Sequence, residues 1–160
     1  MGRLDGIKAR DAVYELARTV EEQDLNPFRH LFGGQAMTWM DVVAGMTANN
    51  YTGDVRVTTV TVDDMLFMAP AYLGDNLIIR GRVVNTGRTS MEVLIEVEVV
   101  GGDDSRKLIQ KAHFVLVALD NEFKPTPVPP LIVETDQERE RWEAAEKRKE
   151  LRTQRRAMDI

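Results

Sequence analysis

Cysteine is absent from the 160 residues, and histidine occurs only at His30 and His113. No disulfide, thiolate nucleophile or Cys-ligated metal can form, and two imidazoles are too few for a multi-histidine metal site within one chain. No apolar run approaches the roughly 20 residues needed to cross a bilayer. The opening MGRLDGIKARDAVYEL also lacks the continuous apolar stretch of a secretory signal. Excess positive charge is missing too. The formal charge of −5 leaves no basic footprint for nucleic acid. The expectation is a cytoplasmic protein with no membrane, metal or nucleic-acid partner. What is present, 43% hydrophobic and 29% charged residues, is the balance of one soluble domain with a core and a tail.

Along the chain the hydrophobic period changes twice. Residues 12–20, AVYELARTV, suit a strand by alternation, although Ala12, Leu16 and Val20 would also line a helix. From Gly34 to about Asn49, Ala36, Met37, Trp39, Met40, Val42, Val43, Ala44, Met46 and Ala48 point around most of a helical circumference. Such a helix is expected to be covered on nearly every side, and NNYTGD supplies its stop. The period then falls to two in VRVTTVTV (55–62), MLFMAP (65–70), NLIIRGRVVN (76–85), TSMEVLIEVEVV (89–100) and KLIQKAHFVLVAL (107–119), joined by links short enough for antiparallel hairpins. Glu92, Glu96 and Glu98 alternate with Val93, Val97 and Val99, which predicts one wet and one covered face. PTPVPPL (125–131) cannot continue a sheet. Beyond it lies a charged helix, acidic at its start and basic at its end, whose sparse apolar positions Trp142, Ala145 and Leu151 suggest a solvated surface helix or a reach to a neighbouring subunit.

One apolar helix followed by antiparallel strands is an α+β layer in which the sheet wraps the helix. One sheet face cannot cover a helix that is apolar all round, so a second chain is expected to supply the rest.

The chemistry concentrates in NPFRHLFGGQAMTWMD (26–41). A helix beginning at Gly33 or Gly34 offers unpaired N–H groups and a partial positive charge, which suit a developing oxyanion. Asp41 follows Gly34 by two turns, about 10 Å along the same face. Burying that carboxylate alone would be costly. It should therefore face a polar cavity or an interface, the alternative being a loop cap or an ion pair with arginine. Asn26 before Pro27 reads first as an Asx-turn, and Asp24 fits a turn residue. His30 is surface or catalytic on this evidence, and His113 suits a satisfied strand position. GRTSM (87–91) combines a glycine, a guanidinium and two hydroxyls able to hold phosphate, a composition shared by ordinary hairpin turns. Arg80 and Arg82 alternate on one strand face and read as solvated.

In combination these stretches resemble the acyl-CoA thioesterases of the hot-dog superfamily, the group containing YciA and the brain-type cytosolic acyl-CoA hydrolases. Asn26, LFGG (31–34) and WMD (39–41) match the family's opening pattern. VTVDDMLFMAPAYLGDNL, GRTSMEV and FVLVALDNEFKPTPVPPL match its later motifs, so the likeness covers roughly residues 12–131. The resemblance implies a hot-dog fold over residues 1–131, an antiparallel sheet wrapped around a long central helix, with 132–160 as a charged C-terminal helix. It makes residues 12–20 the first strand. It implies hydrolysis of an acyl-CoA thioester to a free acid and coenzyme A, with no cofactor beyond the coenzyme A of substrate and product. Asn26 and Asp41 would be catalytic, contributed by different subunits of a homodimer. Gly34 would offer its N–H to the thioester carbonyl, and Arg88, Thr89 and Ser90 would hold the coenzyme A phosphates. Hexamers built as trimers of dimers are implied as well.

One position departs from the pattern: the glycine usual three residues after the asparagine is Arg29, which would narrow the acyl tunnel or add a phosphate contact. A sister hydratase motif, D-x-N-P-[LIV]-H, is approached by Asp24, Asn26, Pro27, His30 and Ala36, but with one extra residue before the histidine. An (R)-specific enoyl-CoA hydratase or a non-catalytic acyl-CoA-binding protein are therefore the alternatives.

Overall fold

The computed structural model describes residues 5–158; residues 1–4 and 159–160, the outer ends of the expected domain and tail, lie outside it. In chain order the elements are β1 (Ile7–Lys8), β2 (Val13–Thr19), α1 (Gly33–Thr52), β3 (Arg56–Phe67), β4 (Asn76–Thr86), β5 (Ser90–Val100), β6 (Arg106–Leu119), β7 (Leu131–Ile132) and α2 (Asp136–Ala157), with short 3-10 turns at Ala9–Asp11 and Glu22–Asp24. Five strands form one antiparallel sheet in the order β2-β4-β5-β6-β3. This is the hot-dog arrangement, a sheet laid along one central helix. Residues 12–20 form the first strand of that sheet. The two-residue β1 precedes it and pairs in parallel with β7 just past the prolines.

Helix α1 lies in the sheet because its packed face is small and apolar. Met40, Val43, Ala44 and Ala48 are fully buried, opposite Leu77, Ile79, Met91, Val93 and Ile95 of β4 and β5 in one core. Close approach is permitted by Gly81 of β4, where any side chain would collide with Thr47 and Val43. Covering on nearly every side is not met within one chain. Met37, Val42 and Met46 stay 45%, 48% and 38% exposed, all on the side of α1 turned off the sheet.

Strand β3 is the sheet edge beside that open face. The stretch expected at 55–62 and the first part of that expected at 65–70 are one continuous strand, Arg56–Phe67, interrupted by bulges between Thr59 and Thr61 and between Asp63 and Leu66. Asp64 takes φ 50° inside the second bulge, which re-aims the strand without ending it.

The wet face expected on β5 is covered by α2 at Glu92, while Glu96 and Glu98 stay partly exposed beside Arg80, Arg82 and Arg106. A capping box starts this helix, with Thr135 accepting from the N–H of Glu138 and the Glu138 carboxylate accepting from that of Thr135. Ala145, fully buried, packs with Val84 and Leu94. Around it the contacts are ionic: Glu92 is 3% exposed and is gripped by Arg148 (Nε to Oε1, 2.7 Å) and Arg152 (3.2 Å), while Arg152 also reaches Asp63 at 2.6 Å. Ala145 and Trp142 suffice as apolar contacts, Leu151 staying 49% exposed, because buried ion pairs between α2 and the strands complete the seat.

His113 sits in this layer, 7% exposed, with Nδ1 buried and unpartnered. Burial first, then the charges of Arg148 and Lys111, hold its pKa down at about 3. The unfolded imidazole titrates near the ordinary 6.5. The unfolded state therefore takes up a proton first on acidification, and the stability due to His113 is complete above pH 6.5 and lost as the pH falls towards 3. At pH 5 the loss is expected to be about 2 kcal/mol. Urea unfolding of the wild type and His113→Gln at pH 7.5 and 5 checks this, since the substitution should flatten the difference between the two pH values by that amount.

Candidate active site

The loop before α1 is built on Asn26. Its Oδ1 accepts from the backbone N–H groups of Phe28 (3.0 Å) and His30 (3.1 Å), and its own N–H donates to the carbonyl of His30 at 2.7 Å. Asn26 thus makes the Asx-turn that its place before Pro27 allows, and its Nδ2 enters none of the hydrogen bonds formed among the described residues. The same loop is clamped to the helix by Asp24, 5% exposed. Its carboxylate accepts from the N–H of Glu21 and from Nε2 of Gln35 (3.1 Å), and its carbonyl accepts from the N–H of Phe32.

Helix α1 starts at Gly33, one residue earlier than its period suggests, with Phe32 as an N-cap that offers no side-chain acceptor. The first intrahelical bond is Ala36 N–H to the carbonyl of Phe32. The N–H groups of Gly33 and Gly34 are therefore left pointing out of the helix end. A side chain at Gly34 would meet the Phe32 ring at 2.6 Å, so glycine keeps both the ring and the approach to these donors.

Asp41 lies further along the exposed side of α1. Its Oδ1 accepts a 2.8 Å hydrogen bond from Oγ1 of Thr59 on β3. It is neither capped by a loop nor closed into an arginine pair. It opens on a groove of about 580 Å³ between α1 and β3, lined by Val42, Met46, Arg56, Thr58 and Phe123. Arg56 stacks 4.8 Å from the centre of the Phe123 ring at the groove's edge.

The Arg88–Ser90 segment is the tight β4–β5 turn, closed by the N–H of Gly87 on the carbonyl of Ser90. Ser90 pairs with Val117 and Val117 with Thr58. The turn therefore sits two strand spacings, roughly 10 Å, from the Asp41–Thr59 pair. Asn26 and Gly34 are at the other end of α1, where Gly33 faces the Phe67 ring. One chain thus places Asp41 near Arg88–Ser90 along the sheet, but keeps the Asn26 loop about two helical turns away.

Residues 28–105 match the Thioesterase superfamily. Over 122 residues the chain is 36% identical to the cytosolic acyl coenzyme A thioester hydrolase of Rattus norvegicus, an alignment covering 74% of this chain but only 31% of that much longer protein. It is 34% identical to the acyl-CoA thioester hydrolase YciA of Salmonella typhimurium, over 66% of this chain and 82% of YciA. The chain belongs to the acyl-CoA thioester hydrolases. An acyl-CoA hydrolase of this family from Staphylococcus aureus, solved with butyryl coenzyme A and coenzyme A, superposes with a TM-score of 0.89 at 30% identity, covering 96% of this chain and 93% of the other. Three further structures of that hydrolase carry single alanine replacements of an asparagine, an aspartate and a threonine. A hexameric acyl-CoA thioesterase superposes with a TM-score of 0.90 at 32% identity, covering 96% of this chain and 99% of the other.

Arg29 departs from the family pattern in backbone as well as in side chain. Its φ of 62° is left-handed, the conformation glycine adopts at least cost and thus a reason for the family's usual residue. In the single chain its guanidinium forms two 3.1 Å bonds with Glu22 in an exposed pair. His30 packs its ring edge-on against Tyr72 at 5.0 Å, and Asp24 is committed to Glu21 and Gln35. The pair a hydratase would need is absent. Thr59, hidden among the threonines of 55–62, is the site residue that sequence reasoning missed; only its place opposite Asp41 distinguishes it.

Proposed function

We propose that the protein hydrolyses acyl-CoA thioesters to free acids and coenzyme A, at sites shared between two copies of the chain. The observation that carries this is Asp41, an open carboxylate oriented by Thr59 beside a groove and an uncovered helix face. Asp41 acts as general base on a water, Thr59 fixing the carboxylate so that one lone pair stays aimed into the groove. Asn26 orients the water or the carbonyl through Nδ2, and the Gly34 N–H receives the oxyanion. The thiolate of coenzyme A leaves readily, so this donor set is sufficient for the step. Arg88, Thr89 and Ser90, at the turn beside the groove, hold coenzyme A phosphates. An asparagine, an aspartate and a threonine are also the residues replaced in the related Staphylococcus hydrolase.

The sharing follows from the sheet edge. β3 leaves one side unpaired, and Val60, Val62, Leu66 and Phe67 along it are 37–51% exposed, beside Met37, Val42 and Met46 of α1. An apolar edge of that length is a pairing surface. Two-fold symmetry makes β3 pair with its copy in antiparallel fashion. That brings the Phe67 and Gly33 end of one chain over the Thr58, Thr59 and Asp41 region of the other, so Asn26 and Gly34 of one copy complete the site of Asp41 in its partner. Assembly of such dimers into hexamers and a cytosolic location extend the same reading, as related thioesterases are hexameric or named cytosolic.

Thiol release measured over acyl-CoAs from acetyl to palmitoyl tests the reaction. Saturable release of coenzyme A is expected on at least one chain length, and Asn26→Ala is expected to lower kcat about 100-fold. A 2-enoyl-CoA that loses its conjugated absorbance without freeing thiol would favour hydration instead, and binding without turnover would sink both catalytic readings.

A further inference from the structure

On the outer face of the sheet, away from Asp41, a cavity of about 300 Å³ opens between β4, the first turn of α2 and the segment after β1. Its walls carry three cations, Arg10, Arg82 and Arg141, alongside Val84, Thr135 and Glu138. The Nε of Arg82 is buried and hydrogen-bonds to nothing. Its ion-pair partner Glu96 stays at 3.7 Å, too far to accept a hydrogen bond from Nε. Burial, and next the charge of Arg141, both disfavour the protonated form of Arg82, yet a guanidinium in a protein keeps its proton. Arg80, two residues earlier on the same strand, shows the usual solution: it is matched by Glu15 at 2.5 Å and Glu98 at 3.8 Å.

The acids around the cavity are only partly available to its cations: Glu96 faces Arg82 without a hydrogen bond, and Glu138, within reach of the charges of Arg10 and Arg141, is tied up in capping. The Glu138 carboxylate accepts from the N–H groups of Glu134 and Thr135 to cap α2. Glu134 faces Lys8 at 3.0 Å and Arg10 at 3.7 Å. Arg141 forms no hydrogen bond or ion pair among the described residues. Two guanidiniums therefore share a hollow that contains a buried donor without an acceptor.

We propose that this cavity is a binding site for a phosphate dianion, either inorganic phosphate or a phosphomonoester, held between Arg82 and Arg141. A dianion offsets both charges at once, and its oxygens match the fork of donors on each guanidinium. At about 300 Å³ the cavity is at the small end of ligand pockets; it takes an oxyanion and a few further atoms, not a whole coenzyme A. The site is independent of the thioester reading, because it stands on the opposite side of the sheet and uses none of the same residues.

Thermal unfolding of the full chain in sodium phosphate, in glycerol 3-phosphate and in sodium chloride, at equal ionic strength and pH, tests it. Phosphate or the monoester is expected to raise the midpoint by about 3 °C over chloride, and whichever acts at lower concentration identifies the source. Arg82→Gln and Arg141→Gln should each abolish the rise. Arg141→Gln breaks no side-chain hydrogen bond or ion pair among the described residues, so it keeps the test decisive even if Arg82→Gln folds poorly. No rise over chloride, which would mean a hollow filled only by water, overturns the proposal; so does an undiminished rise in Arg141→Gln, which would place the anion elsewhere.

Discussion

Asp41→Asn is expected to lower kcat for thioester hydrolysis by about 10³-fold while leaving the fold intact. The substitution keeps the shape and an oxygen able to accept from Thr59 Oγ1, now at 2.8 Å from the carboxylate, and removes only the basicity. Because Asp41 is exposed in the single chain, little stability depends on its charge. A thousandfold loss corresponds to about 4 kcal/mol of transition-state stabilisation, the scale of a general base. KM should change little, because the groove residues that receive the substrate are untouched. A kcat within threefold of wild type would remove Asp41 from the chemistry.

The sharing of the site makes this result sharper. In the proposed dimer each site takes Asn26 from one copy and Asp41 from the other. Asn26→Ala and Asp41→Ala chains, each retaining at most about 1% of wild-type activity alone, should therefore recover activity when mixed and allowed to exchange. Random pairing gives half heterodimers with one intact site each, so about a quarter of wild-type activity is expected. Sites complete within one chain would recover nothing on mixing, and that outcome would sink the shared arrangement while leaving the hydrolase reading standing.

Local pattern made much of this molecule legible. α1 announced itself through its apolar circumference and the glycines at its start, and β4, β5 and β6 through alternation, because both signals reside in neighbouring residues. What escaped depends on partners far away in sequence. Asp63 and Asp64 read as a break between two strands, yet β3 runs through them because Asp63 meets Arg152, 89 residues on, and Asp64 accepts a left-handed bulge. Glu92 read as wet for the same reason, its partners lying on α2. Arg82 shares the alternation of Arg80, and nothing local reveals that Arg80 is hydrogen-bonded to an acid while the Nε of Arg82 is not. At the candidate site, residue types and spacing singled out Gly34 and Asp41, the family resemblance added Asn26, and Thr59 needed the registration of β3 beside α1.

The ionic seat of α2 sets the second large expectation. Glu92→Ala should destabilise the protein by about 3–5 kcal/mol, lowering the unfolding midpoint by roughly 10 °C. The reason is what remains. Arg148 and Arg152 have side chains only 16% and 14% exposed, and without Glu92 the first loses the acid that its guanidinium grips. Arg152 keeps Asp63, so Arg148 carries most of the penalty. Replacing both members of the pair should then cost less than replacing one. Glu92→Met with Arg148→Met puts apolar volume where two buried charges were and is expected to recover most of the lost stability. Chemical denaturation of the two single variants and the double variant forms the cycle that measures this coupling. If Glu92→Ala costs under about 1 kcal/mol, the pairs are no stronger than exposed ones. α2 would then be held mainly by Ala145 and Trp142 rather than by charge.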